Sequence, residues 1–571
     1  MNSLNLFFTV LAACLLCVNT TSGLSFHLLT APTFTAFVLS YAVSFLTGNY
    51  RKVTGFFIGE VIVTICLVDC YCQDMFMTQV TPQILSNVLL SDSRETREFL
   101  STFIGSHLLS SWRITAELSL VILLPLSYLS FINRRITVKW SRMSRYAVIV
   151  ITSLCFIYEL PSSYRFLQLF WQRGDLKSME GLIFRHYHEK IPTPLHRFAF
   201  ACYSLQQSSQ QLEEIKRVTF TAQIDSCIYM SPHIVFVIGE SYNKHHSTLY
   251  GYHLQTTPRQ QELFEDGKLF VFHDVVTPWN ITSNVFLDLF SMWEFGMPEP
   301  IVTKPLFPML FRRAGYSVNF FSNQYLLKGF RKGVTNQAGH FFLADREMSD
   351  SLFTFRNRKR SKYDIGLVEQ ISDFKNSRNQ TECTLDIIHL IGQHFDYSIR
   401  YPKIEATFSI DDYSDRDISK DEKNIVMHYD NATHYNDLVL DNIINIYRDD
   451  DAIILFVSDH GEEVYDDLKV NGRLFQEPTA AQAKNEHEVP MWIWCSKSYR
   501  CSHPEIIQQI EQSHDKPFMT DGLPQLLLYL AGISSKWNQE DKNLLSPNYH
   551  CKKRIICGSI DYDQLIKRLT K

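Results

Sequence analysis

Two groups of acidic and imidazole side chains follow apolar segments that lie far apart in the chain. Glu240 follows the run HIVFVIG, and Asp459 and His460 follow the run AIILFV and one serine. Each run is typical of a buried strand, and open α/β folds bind ligands at the carboxyl ends of such strands. Two carboxylates and one imidazole suit Zn²⁺ or a similar divalent ion. The spacing therefore predicts a metal centre formed by Glu240, Asp459 and His460.

The pair Asp459 and His460 needs a local bend to act together. Neighbouring residues of a strand point to opposite faces, so both side chains reach one ion only where the strand ends. Gly461 follows directly and is expected to permit that turn. The alternatives are a plain surface turn at this position and, for Glu240, a carboxylate that caps the next segment.

Apolar runs and helical patterns alternate from residue 233 onward. Strands are expected at 233–239, 269–275, 317–322, 385–391, 452–457 and 489–495. Helices are expected at 283–294, 304–314, 364–376, 431–447, 503–512 and 521–531. This alternation predicts an α/β domain over 233–571 with a mainly parallel sheet and helices on both faces. The charged stretch 404–424 is expected to be an exposed loop.

The amino-terminal part has a different composition, with long apolar runs up to residue 161. Five segments are expected to span a membrane, at about 4–21, 27–46, 53–72, 117–132 and 146–161. Basic residues lie in the loops after the second and fourth segments: Arg51, Lys52, Arg134, Arg135, Lys139, Arg142 and Arg145. The positive-inside rule then places both loops in the cytoplasm and everything after residue 161 outside.

Two segments connect this bundle to the α/β domain or lie beside it. The outer loop 73–116 contains an amphipathic stretch, Glu95–Trp112, which either lies on the membrane or packs on the outer domain. Residues 162–232 are expected to form a helical connector. The transmembrane domain is thus assigned to residues 1–161.

Charge and cysteine content narrow the classes further. The 571 residues carry 55 basic and 60 acidic side chains, a net charge of −5, with no basic stripe that would indicate nucleic-acid binding. Seven of the 13 cysteines fall in the outer part. Cys495 with Cys501, and Cys551 with Cys557, are candidate disulfide pairs there, and the alternative is free buried thiols.

Further short motifs lie between and after the two metal-ligand blocks. In order they are Val275-Val276-Thr277-Pro278 with Thr282, His389–His394 with Arg400-Tyr401-Pro402, Tyr429-Asp430-Asn431, and His487–Trp492. With the Glu240 and Asp459 blocks, they make the sequence resemble the phosphoethanolamine transferases of Gram-negative bacteria, in the alkaline phosphatase/sulfatase superfamily. The resemblance runs from about residue 233 to about residue 530, and the membrane part agrees in layout.

The resemblance implies that a threonine at the start of a helix is the nucleophile and a fourth metal ligand. Position within the motif favours Thr282 over Thr277 and Ser283. Physical chemistry agrees, because free N–H groups at a helix amino terminus favour phosphate oxygens and a metal lowers the pKa of a bound hydroxyl. The alternative role of Thr282 is that of a plain helix cap. The Cys/Ser-x-Pro-x-Arg nucleophile motif of sulfatases is absent from the sequence.

Three histidines complete the site that the resemblance implies. His389, His394 and His487 match positions near the phosphate or a second metal, although each could be an ordinary buried histidine. Phe395 stands where the family usually has glycine, and its ring is expected to narrow the acceptor side.

The implied activity is transfer of phosphoethanolamine from phosphatidylethanolamine to lipid A or the lipopolysaccharide core, with Zn²⁺ as cofactor. It implies a multi-pass protein of the bacterial inner membrane with a periplasmic catalytic domain and lipid partners. The alternatives are a phosphoglycerol-type headgroup transferase acting on a glycan, and a membrane binding or sensing protein without catalysis.

Overall fold

The structure is a computed structural model that describes residues 3–18, 27–76, 80, 84–85, 111–131, 142–171, 193–324, 343, 345–378, 383–473 and 478–567. The chain divides into two compact units, residues 1–207 and residues 208–571 without 474–477. The first unit is helical and the second holds the predicted strands. Each is described by itself below.

The first unit has a helix at each place where a membrane span is predicted. These helices are α1 (Ser3–Leu16), α2 (His27–Ser44), α3 (Gly48–Phe76), α4 (Trp112–Phe131) and α5 (Arg142–Trp171). Helix α1 packs against α2 and α3, and α5 packs against α2. Their shared core includes Leu6, Val10, Ala13, Val43, Ile62 and Val63. Helix α6 (Pro194–Thr221) follows in the chain.

One helix among the described residues is long and apolar enough to cross a membrane by length and composition, namely Gly48–Asp74. The apolar helices Asn5–Leu16 and Leu29–Ser44 are shorter. The five-span arrangement therefore stays a prediction. Of the amphipathic stretch expected at Glu95–Trp112, residues 95–110 lie outside the described residues.

The second unit alternates strands and helices as its sequence predicts. Up to the middle of the unit the elements are β1 (Ser226–Cys227), β2 (His233–Gly239), α7 (Pro258–Glu265), β3 (Leu269–Phe272), β4 (Val275–Val276), α8 (Thr282–Phe290), α9 (Phe307–Ala314), β5 (Ser317–Ser322), α10 (Arg346–Leu352), β6 (Phe355–Arg356), α11 (Ile365–Ser377) and β7 (Thr384–His389). They are followed by α12 (Lys420–Tyr447), β8 (Ala452–Ser458), β9 (Glu463–Val464), β10 (Asn471–Gly472), α13 (Ala480–His487), β11 (Met491–Cys495), α14 (Lys497–Ser502), α15 (Pro504–Glu511), β12 (Phe518–Met519), α16 (Leu523–Ala531), β13 (Ile533–Ser534), β14 (Ile555–Ile556), β15 (Ile560–Asp561) and α17 (Tyr562–Ile566).

Among the described residues, the central sheet has seven strands in the order β3-β11-β8-β2-β7-β5-β6. Strands β8, β2, β7, β5 and β6 pair in parallel, whereas β11 runs antiparallel to both of its neighbours. The prediction of an α/β domain with a mainly parallel sheet is confirmed. In the ladder of β2 and β8, Gly239 pairs with Ser458. The residues that follow these two positions, Glu240 and Asp459, are therefore neighbours at one edge of the sheet.

Both faces of the sheet are buried, which explains why its strands read as continuous apolar runs. Alternate residues of β2 point to opposite sides. Ile234, Phe236 and Ile238 pack into a core with side chains of α8, α9 and α16. Val235 and Val237 pack into a second core with side chains of α11 and α12. This double burial fixes β2, and with it the position of Glu240.

The structure corrects the expected loop at 404–424, because α12 begins at Lys420. The hydroxyl of Ser419 accepts a hydrogen bond from Glu422 N–H, and the Glu422 carboxylate accepts one from Ser419 N–H. This reciprocal capping box is encoded in the sequence Ser-Lys-Asp-Glu and starts the helix amid charged residues.

A segment near the end of the chain, called here the tail hairpin (residues 552–566), lies along the segment that leads into and out of α8. Lys552 Nζ contacts Glu294 at 2.8 Å and Asp521 at 2.7 Å. The Cys557 N–H donates to the Pro278 carbonyl at 2.9 Å, and Tyr562 donates to Glu488 at 2.7 Å. The tail hairpin therefore braces the segment that holds Thr282.

In the part of the chain that the structure describes, no disulfide joins Cys495 to Cys501 or Cys551 to Cys557. Cys495 and Cys557 are buried, whereas Cys501 and Cys551 are exposed. The two candidate pairs of the sequence analysis are therefore not formed in the structure.

Candidate active site

Strands β2 and β8 bring the three predicted metal ligands together. Glu240, Asp459 and His460 are fully buried, and one ligand atom from each lies within 4.8 Å of the others. His460 Nε2 lies 3.3 Å from Glu240 Oε1 and 3.2 Å from Asp459 Oδ2. The ligands arise from strands more than 200 residues apart in sequence that are adjacent in the sheet.

The backbone around the site orients these ligands. Asp459 Oδ1 accepts hydrogen bonds from the N–H groups of Ser241 at 3.1 Å and His460 at 2.7 Å. Ser241 lies in the left-handed region, with φ of 55°, a strained conformation for a serine that aims its N–H at the carboxylate. Asp459 Oδ2 accepts no hydrogen bond although it is buried. A buried carboxylate oxygen without a partner is costly, so this atom is suited to a cation.

Thr282 contributes the fourth group. Its Oγ1 lies 3.2 and 3.3 Å from the two Glu240 oxygens and 3.1 Å from His460 Nε2. Thr282 is the first residue of α8 and Ile281 is the cap, so Thr282 does not act as the plain helix cap considered above. It is 8% exposed, whereas Glu240, Asp459 and His460 are fully buried. Thr282 is therefore the most exposed of the four residues.

The distances fit a small divalent ion. Bonds of ~2.0–2.1 Å from a tetrahedral zinc place neighbouring ligand atoms ~3.3 Å apart. The measured separations among Thr282 Oγ1, Glu240 Oε1 and His460 Nε2 are 3.1 to 3.3 Å, and Asp459 Oδ2 lies 3.2 Å from His460 Nε2. His460 Nδ1 donates to the Gly461 carbonyl at 2.8 Å, which leaves Nε2 as the unprotonated nitrogen that a metal requires.

The electrostatics of the site also favour a cation. Burial and the charge of Glu240 raise the pKa of Asp459 to about 7. Burial opposes ionisation of Glu240, yet interactions with His389 and His460 hold its pKa well below the usual range. Burial likewise opposes protonation of His460, but the Asp459 charge outweighs it and raises the pKa. The strain of two adjacent carboxylates would be relieved by a bound divalent ion.

Of the three predicted substrate histidines, His389 lies beside a predicted ligand, and the charge of Glu240 acts on His394. His389 Nε2 lies 3.9 Å from Glu240 Oε2. His394 Nδ1 donates to the Phe395 carbonyl at 2.8 Å, which leaves Nε2 as an acceptor, and burial lowers the pKa of His394 to about 4. Arg400 holds this loop by donating to the His394 carbonyl at 2.6 Å. The Phe395 ring contacts Tyr397, with 5.8 Å between the ring centres.

His487 has a different environment. Its Nδ1 donates to the Thr277 carbonyl at 2.9 Å, and its Nε2 lies 3.7 Å from Cys557 Sγ. Burial lowers the pKa of His487 to about 4, so the ring is neutral at neutral pH. In the structure His487 thus ties the segment before Thr282 to the tail hairpin.

Gln324 and Arg473 also contact the ligands, and the sequence analysis did not single them out. Gln324 follows β5 and donates through Nε2 to Glu240 Oε2 at 2.9 Å and to the Leu390 carbonyl at 2.8 Å. Arg473 follows β10 and donates to His460 Nε2 at 2.7 Å. Its Nε lies 3.7 Å from Glu462 Oε2. Position at the end of a parallel strand could have identified Gln324, whereas no sequence signal marks Arg473.

Gly461 is required for a reason other than the turn that was expected. A Cβ on Gly461 would lie 2.1 Å from the Asn485 carbonyl oxygen, while its φ lies outside the left-handed region. Gly392, between His389 and His394, has φ of 44°, and a Cβ there would lie 3.0 Å from the Glu240 carbonyl oxygen. Both glycines allow a loop to approach the metal ligands closely.

Comparison with known proteins defines the family. The family model for sulfatases matches residues 232–527, which is more than half of the chain and contains the predicted metal ligands, Thr282 and the three predicted histidines. The chain belongs to the sulfatase family. The resemblance found in the sequence is confirmed at this level.

The sequence of this chain is similar to those of named phosphoethanolamine transferases. Phosphoethanolamine transferase EptC of Escherichia coli is 27% identical over 346 residues, which cover 58% of this chain and 57% of that protein. Phosphoethanolamine transferase EptA of Helicobacter pylori is 27% identical over 48% of this chain and 50% of that protein. This chain thus spans a little over half the length of the first curated relatives it matches.

Solved structures show the same fold. The C-terminal periplasmic domain of Escherichia coli EptC, in complex with Zn, is 26% identical with a TM-score of 0.52, covering 60% of this chain and 96% of that one. The integral membrane protein lipooligosaccharide phosphoethanolamine transferase A of Neisseria meningitidis has a TM-score of 0.59 at 18% identity. It covers 95% of this chain and 96% of that one, so the likeness of fold extends to the helical first unit.

Proposed function

We propose that this protein transfers phosphoethanolamine from phosphatidylethanolamine to an acceptor on lipid A or the lipopolysaccharide core. The observation that carries the proposal is the Thr282 hydroxyl, which lies at 3.1 to 3.3 Å from His460 and Glu240 at the amino terminus of α8. The names of the relatives support the chemical group that is transferred.

Glu240, Asp459, His460 and Thr282 would hold the divalent ion, and Zn²⁺ is the expected one. When bound, such an ion lowers the pKa of the threonine hydroxyl and stabilises negative charge on the phosphoryl group. The unpartnered Asp459 Oδ2 and the separations of the ligand atoms support this assignment.

The reaction would proceed by two displacements at phosphorus. Thr282 Oγ1 forms a bond to the phosphorus of the donor lipid, and the bond to the diacylglycerol oxygen breaks. An acceptor oxygen then attacks the phosphoethanolamine ester of Thr282, and the threonine oxygen leaves. In the first step the Thr282 proton is lost and the diacylglycerol oxygen gains one; in the second the acceptor loses its proton and Thr282 regains one. Thr282 is in place for the first step because its hydroxyl donates to Glu240 Oε2 at 3.2 Å.

The chain's other polar groups would orient the substrates. The neutral His394 ring has an acceptor nitrogen, which suits the ammonium group of ethanolamine or the hydroxyl of an acceptor. His389 lies beside Glu240 and would face the phosphate. We propose that His487 acts on substrate binding through the Thr277 carbonyl, by fixing the segment that leads to Thr282. Arg473 would supply positive charge near the phosphoryl oxygens.

The donor lipid fits a protein anchored in the membrane. We propose that residues 1–161 form five spans in the bacterial inner membrane, that 162–232 connect them to the catalytic domain, and that 233–571 lie in the periplasm. The helices α1–α5 at the predicted positions and the basic loops between them support this topology.

The proposal is tested by searching for the covalent adduct. Thr282→Ala protein should be folded and should bind metal, yet transfer no phosphoethanolamine, whereas Thr277→Ala should keep activity because Thr277 Oγ1 contacts no ligand of the site. Peptides of the wild-type protein purified from cells should carry one phosphoethanolamine group on Thr282. An active Thr282→Ala enzyme without any adduct in the wild-type protein would exclude the two-step mechanism. Mass spectrometry of lipopolysaccharide from cells with and without the protein identifies the acceptor.

A further inference from the structure

A second group of metal-binding side chains lies on the surface of the catalytic unit, apart from the ligands of the active site. His273, His514 and Asp515 each place one ligand atom within 4.8 Å of the others. His514 Nδ1 lies 3.0 Å from Asp515 Oδ1, and the His273 and His514 rings lie 6.0 Å apart and nearly perpendicular. We propose that these three residues form a second divalent-metal site, which binds Zn²⁺ or Cu²⁺ from solution.

The backbone holds the two loops of this site together. His273 N–H donates to the His514 carbonyl at 3.2 Å, and Phe518 N–H donates to the Asp274 carbonyl at 2.8 Å. Strands β4 and β12 then pair in parallel, with Phe518 opposite Val275. The two imidazoles are therefore presented by a fixed pair of backbone segments, so only side-chain rotation is needed to bring the ligand atoms to one ion.

Neighbouring charges are engaged elsewhere. Asp274 pairs with Arg554. Lys516 Nζ donates to the carbonyls of Leu544 and Ser546 at 3.2 and 3.4 Å, and it lies over the Tyr549 ring. The Lys516 ammonium group is thus held by other groups and does not pair with Asp515, which lies beside His514. The local arrangement leaves two imidazoles and one carboxylate for a cation.

The ligand set indicates which metals bind. Two imidazoles and a carboxylate are the protein ligands of many open zinc sites, with a further position left for water. Cu²⁺ binds such nitrogen and oxygen sites more tightly than Zn²⁺. His514 and Asp515 are 42% and 76% exposed, so the ion reaches them directly from solvent. The side chains must lose rotational freedom to close around it, so we expect weaker binding here than at the buried Asp459 centre.

The proposal is independent of the transferase activity, and metal binding tests it directly. The full-length chain, purified in detergent without a histidine tag and stripped of metal, is titrated with Zn²⁺ against a competing indicator. We expect two classes of site. In the double variant His273→Ala/His514→Ala, the affinity of the weaker class for Zn²⁺ should fall by more than about tenfold. Removing a hydrogen-bond partner of a metal ligand already costs about tenfold, and removing two ligands should cost more. It should retain the tight class, which Asp459→Asn should lose.

A spectroscopic readout identifies the ligands. With Cu²⁺ added to Asp459→Asn protein, electron paramagnetic resonance should show hyperfine coupling to two nitrogens, and His514→Ala should reduce it to one. His434→Ala removes a partly exposed imidazole whose Nδ1 contacts the Gln255 carbonyl, and it should change nothing. The proposal is overturned if the double variant binds Zn²⁺ like the wild type, or if the copper signal is the same in His514→Ala.

Discussion

Replacing Asp459 by asparagine should stabilise the metal-free protein and remove the stabilisation that metal gives. Asp459 is fully buried, its Oδ2 accepts no hydrogen bond, and its pKa is raised to about 7 by burial and by Glu240. The ionised form is therefore strained when no metal is bound. An amide at this position carries no charge, and its NH₂ group can donate to His460 Nε2, which lies 3.2 Å from Oδ2.

The expected size follows from the pKa. A change of one in pKa corresponds to ~1.4 kcal/mol, and the Asp459 pKa rises from 3.8 to about 7. Ionised Asp459 thus lowers the free energy of unfolding of the metal-free protein by up to about 4 kcal/mol. The unfolded chain loses its proton near pH 4 and the folded chain near pH 7, so this loss of stability accumulates as pH rises between these values. Above pH 7 it stays constant.

Thermal unfolding of the full-length protein measures both effects. With a chelator at pH 8, Asp459→Asn should melt at a higher temperature than the wild type, and the difference should shrink as the pH falls toward 5. With saturating Zn²⁺ the order should reverse, because the variant has lost one ligand while the wild type gains the binding free energy.

A matched variant separates this effect from the loss of any buried carboxylate. Asp437 is also buried, but it accepts hydrogen bonds from the N–H groups of Arg259 and Gln260 at 2.9 and 3.0 Å. Burial raises the pKa of Asp437 as well, but both of its oxygens face N–H donors, and an asparagine there would turn its NH₂ group toward them. We therefore expect Asp437→Asn to destabilise the protein to the same extent with and without Zn²⁺. If Asp459→Asn behaves in this way too, the reasoning about an uncompensated metal ligand is refuted.

Three other outcomes are expected. Arg473→Met should raise Zn²⁺ affinity by about tenfold, because the arginine N–H competes with the metal for His460 Nε2; a chelator competition assay measures this, and unchanged affinity would contradict it. Gly461→Ala should cost about 1–3 kcal/mol or more in stability with and without metal, since its Cβ would meet the Asn485 carbonyl at 2.1 Å; an unchanged melting temperature would disprove that contact. A reporter that works only in the periplasm should be active when fused after Lys571, and a cytoplasmic reporter should be silent; the reverse pattern would refute the topology.

The central strands could be predicted closely from sequence because they are continuous apolar runs. The expected strand 233–239 and the observed β2 have the same bounds, and β8 extends one residue beyond the expected 452–457. Elements of two residues, such as β9 and β10, are too short to show any periodicity. The start of α12 was not predicted because the stretch 404–424 is highly charged, which is typical of a loop. The capping box at Ser419 starts the helix in spite of this charge.

Some residues of the candidate site could likewise be predicted from sequence, and others could not. Glu240, Asp459 and His460 follow long strands, so topology alone places them at one edge of the sheet. Thr282 needed the family resemblance, because its sequence neighbours Thr277 and Ser283 have similar chemistry, and the structure shows Thr282 in contact with the ligands. Arg473 reaches His460 from a short hairpin, and such a contact depends on a loop path that no local pattern encodes. Gly461 was expected to permit a turn, whereas the structure requires a glycine there because of the Asn485 carbonyl across the loop, which could not be foreseen.

The tail hairpin has a consequence for the order in which the protein becomes active. A chain is synthesised from its amino terminus, so the sheet and α8 can fold before residues 552–566 emerge from the ribosome. Cys557 then contacts the Pro278 carbonyl and approaches His487, and Lys552 joins Glu294 to Asp521. The segment carrying Thr282 receives its last restraints only at this point. If Thr282 is the nucleophile as proposed, a product that ends before residue 552 would keep Glu240, Asp459 and His460 in place but would lack these restraints on Thr282, and we expect it to be inactive.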